Sequence, residues 1–161
     1  MSQAKEINVH IGQVRIGRNG DRLKALLGSC VAIGFIWRRK RICGLAHCLL
    51  PEAPTRSFEI GGRFVTQAVP SLMALMKIQP DETGEIEVIL AGGGNMLDSD
   101  GNGRDSKVGS SNAEVALRVL RDAGFCITTQ STGGTEGRHV VIDCSECSFQ
   151  IKNIPRLEKA V

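Results

Sequence analysis

The sequence predicts an α+β domain. Most of the chain alternates apolar and polar residues in short segments, the period of half-buried strands. Two longer segments, Phe64 to Met76 and the stretch after Ser111, instead repeat at three to four residues, as helices do. The 161 residues suit one domain with a core of its own, and no repeat, linker or low-complexity segment divides them. Residues 1–161 are therefore read as a single domain.

Ile7, Val9 and Ile11 share one parity and Val14 and Ile16 the other, with Gly12 between. This reads as a short strand pair or one bulged strand. Arg18-Asn19-Gly20-Asp21 is a turn, because Asn-Gly tolerates the left-handed region. Leu23 to Leu27 is a short strand leading into Gly28. Leu27 to Trp37 and the run up to Leu50 are apolar, separated by Arg38-Arg39-Lys40, which is too short for a crossover. They read as an antiparallel hairpin. Pro51 to Arg56 is a loop.

Phe64, Ala68, Leu72 and Met76, with Val65, Val69 and Met73 beside them, form one helix face. Pro70 either kinks that helix or marks its start. Gln79 to Gly84 is a polar loop. Ile86, Val88 and Leu90 alternate into Ala91-Gly92-Gly93-Gly94. Ser111 and Glu114 match a capping box, so a second helix is expected to start at Ser111 and to end at Gly124. Phe125 to Gln130 and Arg138 to Asp143 read as strands around the Gly133-Gly134 and Gly137 turn. Ser148 to Ile154 is the last strand, stopped by Pro155, and residues 156–161 are expected to fray.

The hairpin carries the chemistry. If Arg38-Arg39 is a two-residue turn, Trp37 faces Lys40, and counting back along both arms brings position 30 opposite position 47. Cys30 and His47 then share one face, with Cβ atoms about 4.5–5.5 Å apart. A thiol within reach of an imidazole is the arrangement of nucleophilic catalysis. Gly28-Ser29 precedes the Cys, so backbone N–H groups there can approach a substrate oxygen unobstructed. Considered alone, a buried Cys is more often inert packing, and a His on an apolar strand more often a satisfied core residue.

Composition narrows the function. A net charge of +3 is too small to argue nucleic acid or an anionic membrane. Aromatic residues are 4% and Tyr is absent, which disfavours base stacking. No apolar run approaches a membrane span and the start lacks an apolar targeting core, so a cytoplasmic protein without membrane insertion is expected. Reduced thiols are expected for the six cysteines. Cys144-Ser145-Glu146-Cys147 with Cys43 and Cys48 has the makings of a four-thiolate zinc site. Cys43 and Cys48, however, differ in strand parity, and the plain reading is a turn carrying two thiols. Asp98 to Gly103 fits the first half of a calcium loop but lacks its closing Glu, because Gly109 stands there. Neither metal nor cofactor is therefore expected. Arg138 is read first as an edge-strand Arg in solvent and second as a holder of an acidic group, and Arg38 to Arg41 first as a solvated hairpin tip and second as a contact for an acidic partner surface.

Leu27-Gly28-Ser29-Cys30-Val31-Ala32, followed by Gly44-Leu45-Ala46-His47-Cys48-Leu49-Leu50-Pro51, resembles the signature of the CheD family, the chemoreceptor glutamine deamidases of bacterial chemotaxis. Ala91-Gly92-Gly93-Gly94-Asn95-Met96, Val108-Gly109-Ser110-Ser111-Asn112 and Gly133-Gly134-Thr135-Glu136-Gly137-Arg138 resemble further motifs of that family, in order, across residues 23–154. The resemblance implies a β-sandwich-like core of mostly antiparallel strands with helices outside, and relation to toxin deamidases with the same Cys-His pairing. It implies Cys30 as nucleophile, His47 as base, and Gly28 and Ser29 near the substrate. The implied partners are a chemoreceptor and a CheC-type phosphatase, and the Pro51 to Arg56 loop would border the site. In the second reading of Arg38 to Arg41, the acidic surface is the receptor's.

One departure stands out. CheD proteins usually carry a Thr, or a Ser, six or five residues before the Cys, where it is assigned to orient the His. Lys24 and Ala25 stand there, and neither offers an acceptor for an imidazole N–H. Lys24 shares strand parity with Cys30, which would place it in the site if the strand ran unbroken. The departure leaves two readings open: a deamidase of lowered efficiency, or a CheD-like protein that binds receptor or phosphatase without effective catalysis.

Overall fold

The computed structural model describes residues 4–55, 59–95 and 104–155. Nine strands and two α-helices follow one another among them. They are β1 (Glu6–Asn8), β2 (Val14–Gly17), β3 (Arg22–Leu27), β4 (Val31–Trp37), β5 (Ile42–Cys48), α1 (Val65–Met76), β6 (Glu87–Gly92), α2 (Arg104–Asp122), β7 (Ile127–Thr132), β8 (Gly137–Asp143) and β9 (Ser148–Ile154). One sheet has the order β1-β3-β8-β9 and the other β2-β5-β4-β6-β7. All pairings are antiparallel except β1 with β3 and β6 with β7.

Side-chain alternation sorts the core into two layers. Ala32, Ile36, Cys43, Leu45, Ile89 and Ala91 meet Leu23, Ala25, Leu27, Val140 and Ile142 between the sheets. The opposite parity, including Val31, Ile33, Phe35, Trp37, Val88 and Leu90, packs under α1 and α2. Both faces of β4 and β5 are thus covered, and every residue of both strands is buried. This is why these two stretches read as continuous apolar runs. The α+β class and the sandwich-like core hold, with both helices on one outer face.

The central hairpin is tight against α1. A Cβ at Gly44 would lie 2.8 Å from Leu72 Cδ2, 2.9 Å from Met76 Sδ and 3.0 Å from Ile16 Cδ1. Gly44→Ala should therefore cost about 1–3 kcal/mol in urea unfolding. Gly84→Ala, where nothing lies within 4 Å, should stay within about 0.5 kcal/mol.

Several expectations are corrected. β1 and β2 lie in different sheets, so Ile7 to Ile16 is neither a strand pair nor one bulged strand; Gly12, at φ +87°, turns the chain between them. Of the two readings of Pro70, only the helix start is excluded: α1 runs Val65–Met76 with Pro70 inside it. The expected loop at Gln79 holds a 3₁₀ helix, Pro80–Glu85, capped by reciprocal bonds between Gln79 and Glu82. Ser111 and Glu114 do not start α2, which already begins at Arg104. The Gly133-Gly134 turn does not close a hairpin: β7 and β8 belong to different sheets, and β7 lies parallel to β6. Asp98 to Gly103 and the tail 156–161 lie outside the described residues.

Candidate functional site

Gly28-Ser29-Cys30 is the crossing from one sheet to the other: β3 ends at Leu27 and β4 begins at Val31. Every carbonyl of this crossing is tied down. Gly28 O accepts from Gly94 N at 3.0 Å and Cys30 O from Gly93 N at 2.9 Å. Ser29 O accepts from Asn112 Nδ2 at 3.2 Å.

The hairpin register differs from the expected one. Val31 faces Cys48 and Ala32 faces His47. The loop is longer than two residues: Arg38–Lys40 form a 3₁₀ turn and Arg41 adopts φ +53° to close it. Cys30 is consequently not opposite His47. The slip is two residues, and Cys30 lies one residue before β4, outside the ladder, so the register does not pair it with His47.

His47 is 4% exposed. Its Nδ1 lies 2.9 Å from Val9 O. A carbonyl only accepts, so Nδ1 carries the proton and Nε2 is left as the lone-pair nitrogen. Nε2 is buried and has no hydrogen-bond partner. Burial holds the imidazole below its ordinary value; charge on His10 adds to this, and the Val9 carbonyl opposes it. Burial therefore favours the neutral imidazole, with the proton on Nδ1.

The ring borders a cavity of about 530 Å³ whose wall also includes His10, Lys24, Leu26 and His139. Lys24 does reach this cavity, although the sheet crossing interrupts the parity that suggested it. Its ammonium is bonded to Glu6 at 2.8 Å. Ala25 is buried between the sheets. Neither orients the imidazole; the Val9 carbonyl does.

Cys30 is 6% exposed. Burial pushes its thiol up, opposed by its own backbone N–H. No hydrogen bond joins Cys30 to His47 among the described residues. Gly28 and Ser29, half-buried, precede Cys30 in the chain, and none of the three lines the cavity beside His47.

The other thiols separate as parity demanded. Cys43, Cys144 and Cys147 are buried together between the sheets, while Cys48 packs on the helix side. The four-cysteine zinc set is thus divided, and no group able to hold a metal ion occurs among the described residues. Cys43 is pushed far up by hydrogen bonding to Cys144 and by burial, so it is a neutral thiol.

Arg138 is a further correction. It is buried, not solvated, and its guanidinium donates to Ser131 Oγ, Gly133 O and Glu136 O. It therefore props the glycine turn that follows β7. The sequence does not single out Val9, and it gives Asn112 only as the end of the Val108 to Asn112 motif, with no role in the site. Val9 acts through a carbonyl that every residue has, and no residue type signals that. For Asn112, the signal was its spacing of three from Gly109 on one helix face.

No helix among the described residues is long and apolar enough to cross a membrane. The family model described as "CheD chemotactic sensory transduction" matches residues 49–153. A protein of a Ruegeria species named "Probable chemoreceptor glutamine deamidase CheD 2" is 39% identical over 171 residues, covering 96% of this chain and 96% of its own length. A Bdellovibrio bacteriovorus protein named "Probable chemoreceptor glutamine deamidase CheD" is 37% identical, covering 94% and 96%. A Pyrococcus horikoshii protein of the same name is 30% identical, covering 93% of each.

Proposed function

The chain belongs to the CheD family, and from that membership we propose that it hydrolyses glutamine side chains of methyl-accepting chemoreceptors to glutamate, in the cytoplasm, through a thiol mechanism. Cys30 is the nucleophile and His47 the base. The observation that carries this is the imidazole itself. Nδ1 is fixed on Val9 O at 2.9 Å, and Nε2 is buried and unpartnered.

The steps balance on these residues. His47 Nε2 takes the thiol proton, directly or through one water, and the sulfur attacks the carboxamide carbon. The negative oxygen forms against N–H groups of Gly28 to Cys30. His47 returns its proton to the nitrogen, the C–N bond breaks, and ammonia leaves. Water, its proton taken by His47, opens the thioester to give glutamate and free thiol. Because burial disfavours the thiolate, the proton must leave with the help of His47 rather than by ionisation into bulk water. The leaving amine is poor, so base and oxyanion donors are both required.

One observation favours a second reading. The raised thiol lies without a bond to His47, as suits a protein that binds a receptor or a CheC-type phosphatase and leaves the thiol idle. Intact mass decides between the two. Receptor cytoplasmic fragments incubated with the protein should gain about one dalton per site, the difference between –NH₂ and –OH, and should gain nothing with Cys30→Ala. Binding with no mass change in either case would favour the second reading and overturn the first.

A further inference from the structure

Asn112 sits in the first half of α2 with no exposed surface, and it is outside the hairpin that carries the thiol and the imidazole. Its Nδ2 donates to Ser29 O at 3.2 Å and to Leu49 O at 3.0 Å. Ser29 precedes Cys30, and Leu49 lies two residues beyond His47. One amide group therefore ties the segment of the nucleophile to the segment of the base.

The helix reaches that position because of Gly109, three residues earlier on the same face. A Cβ at Gly109 would lie 2.7 Å from Gly93 O and 3.1 Å from Gly94 O. The absence of a side chain lets α2 rest on the backbone of Gly93 and Gly94. Those two residues hold Cys30 O and Gly28 O. Helix, glycine strand end and sheet crossing thus form one packed unit.

Its effect follows from peptide geometry. In a trans peptide the C=O of one residue and the N–H of the next point in opposite directions. Gly28 O drawn to Gly94 turns the Ser29 N–H the other way. Ser29 O drawn to Asn112 turns the Cys30 N–H the other way. The Ser29 N–H has no acceptor among the described residues.

We propose that Asn112 is a positioning residue for the deamidation: by holding Ser29 O and Leu49 O together it aims the N–H groups of Ser29 and Cys30 at the oxygen of the reacting amide. The inference rests on the thiol reading of the site. Asn112 touches no reacting atom; it acts through the peptide between Ser29 and Cys30.

The test compares wild type, Asn112→Ala and Asn112→Ser, with receptor fragments as substrate. Two readings are taken: steady-state kinetics, and hydrogen exchange of the peptide spanning residues 27–32 with the β8–β9 hairpin as reference. Loss of one oxyanion donor typically lowers kcat about 10²–10³-fold, so misaiming should lower kcat about tenfold or more. KM should stay within about twofold, because the substrate-binding surface is untouched. Exchange should quicken in residues 27–32 and not in the β8–β9 hairpin. Asn112→Ser keeps one donor in a smaller volume; it should fall between the others, and it serves alone should the Ala variant not fold. An unchanged kcat, or a rise in KM alone, would overturn the proposal. If the wild type proves inactive, the thiol reading fails separately, and unchanged exchange in residues 27–32 would then still refute the clamp.

Discussion

Substituting Gln for His47 is expected to lower the deamidation rate about 10²–10⁴-fold, the usual worth of a positioned acid–base group. The fold should survive, because an amide NH₂ can still donate to the Val9 carbonyl. What disappears is the Nε2 lone pair, now buried without a partner. The pH dependence follows from the same burial. The folded imidazole sits below the ordinary 6.5, so the acid limb of kcat/KM should lie below pH 6.5 in wild type and vanish in His47→Gln. Stability carries the same sign. Between the folded value and 6.5 only the unfolded chain binds the extra proton. The contribution of neutral His47 is therefore complete above that pH and is lost as pH falls through the folded value. Urea midpoints of wild type and His47→Gln across this window would show it.

Gly92→Ala should be the most damaging small substitution in the chain. Gly92 has φ +107°, and a Cβ there would lie 2.2 Å from Cys30 O and 3.1 Å from Val31 Cα. The clash is with backbone, which cannot rotate away, and the left-handed angle strains any L side chain. We expect a loss of about 3 kcal/mol, read as a fall in Tm of about 6–12 °C. Below the transition, activity should drop as well, because the obstructed atom is the carbonyl oxygen of Cys30, the proposed nucleophile. A variant with wild-type Tm and rate would show that the glycine strand end does not hold the sheet crossing.

Where strand and helix periods were strong, the fold was legible. Leu27 to Leu50 reads as an antiparallel hairpin, and it is one. Its register was not legible, since no Gly or Asn marks the turn. The left-handed position falls on Arg41, a residue that gives no sign of it. Cys30 falls just before the paired residues, so the facing pair that a two-residue turn would make is not formed. α2 was placed too late because Ser111 and Glu114 have cap spacing, yet they lie within a helix begun at Arg104. The parallel pairing of β6 and β7 was hidden because Gly133-Gly134 reads as a hairpin turn although it leads into the other sheet. Within the site, thiol, imidazole and the Gly-Ser approach could be named from residue type. The partner of the imidazole could not: a family position usually held by a hydroxyl is Lys24 or Ala25, and the acceptor comes from the main chain at Val9.

In the proposed reaction the Cys30 sulfur is the attacking atom. Alkylation by iodoacetamide, with peptide mapping at successive times and deamidation of receptor fragments measured on the same samples, is the decisive assay. Cys126, the one exposed cysteine among the six, should react early without loss of activity. Activity should then decline in step with carbamidomethylation of Cys30, reaching zero when that residue is fully modified. Deamidation that persists after complete modification of Cys30 would contradict the account.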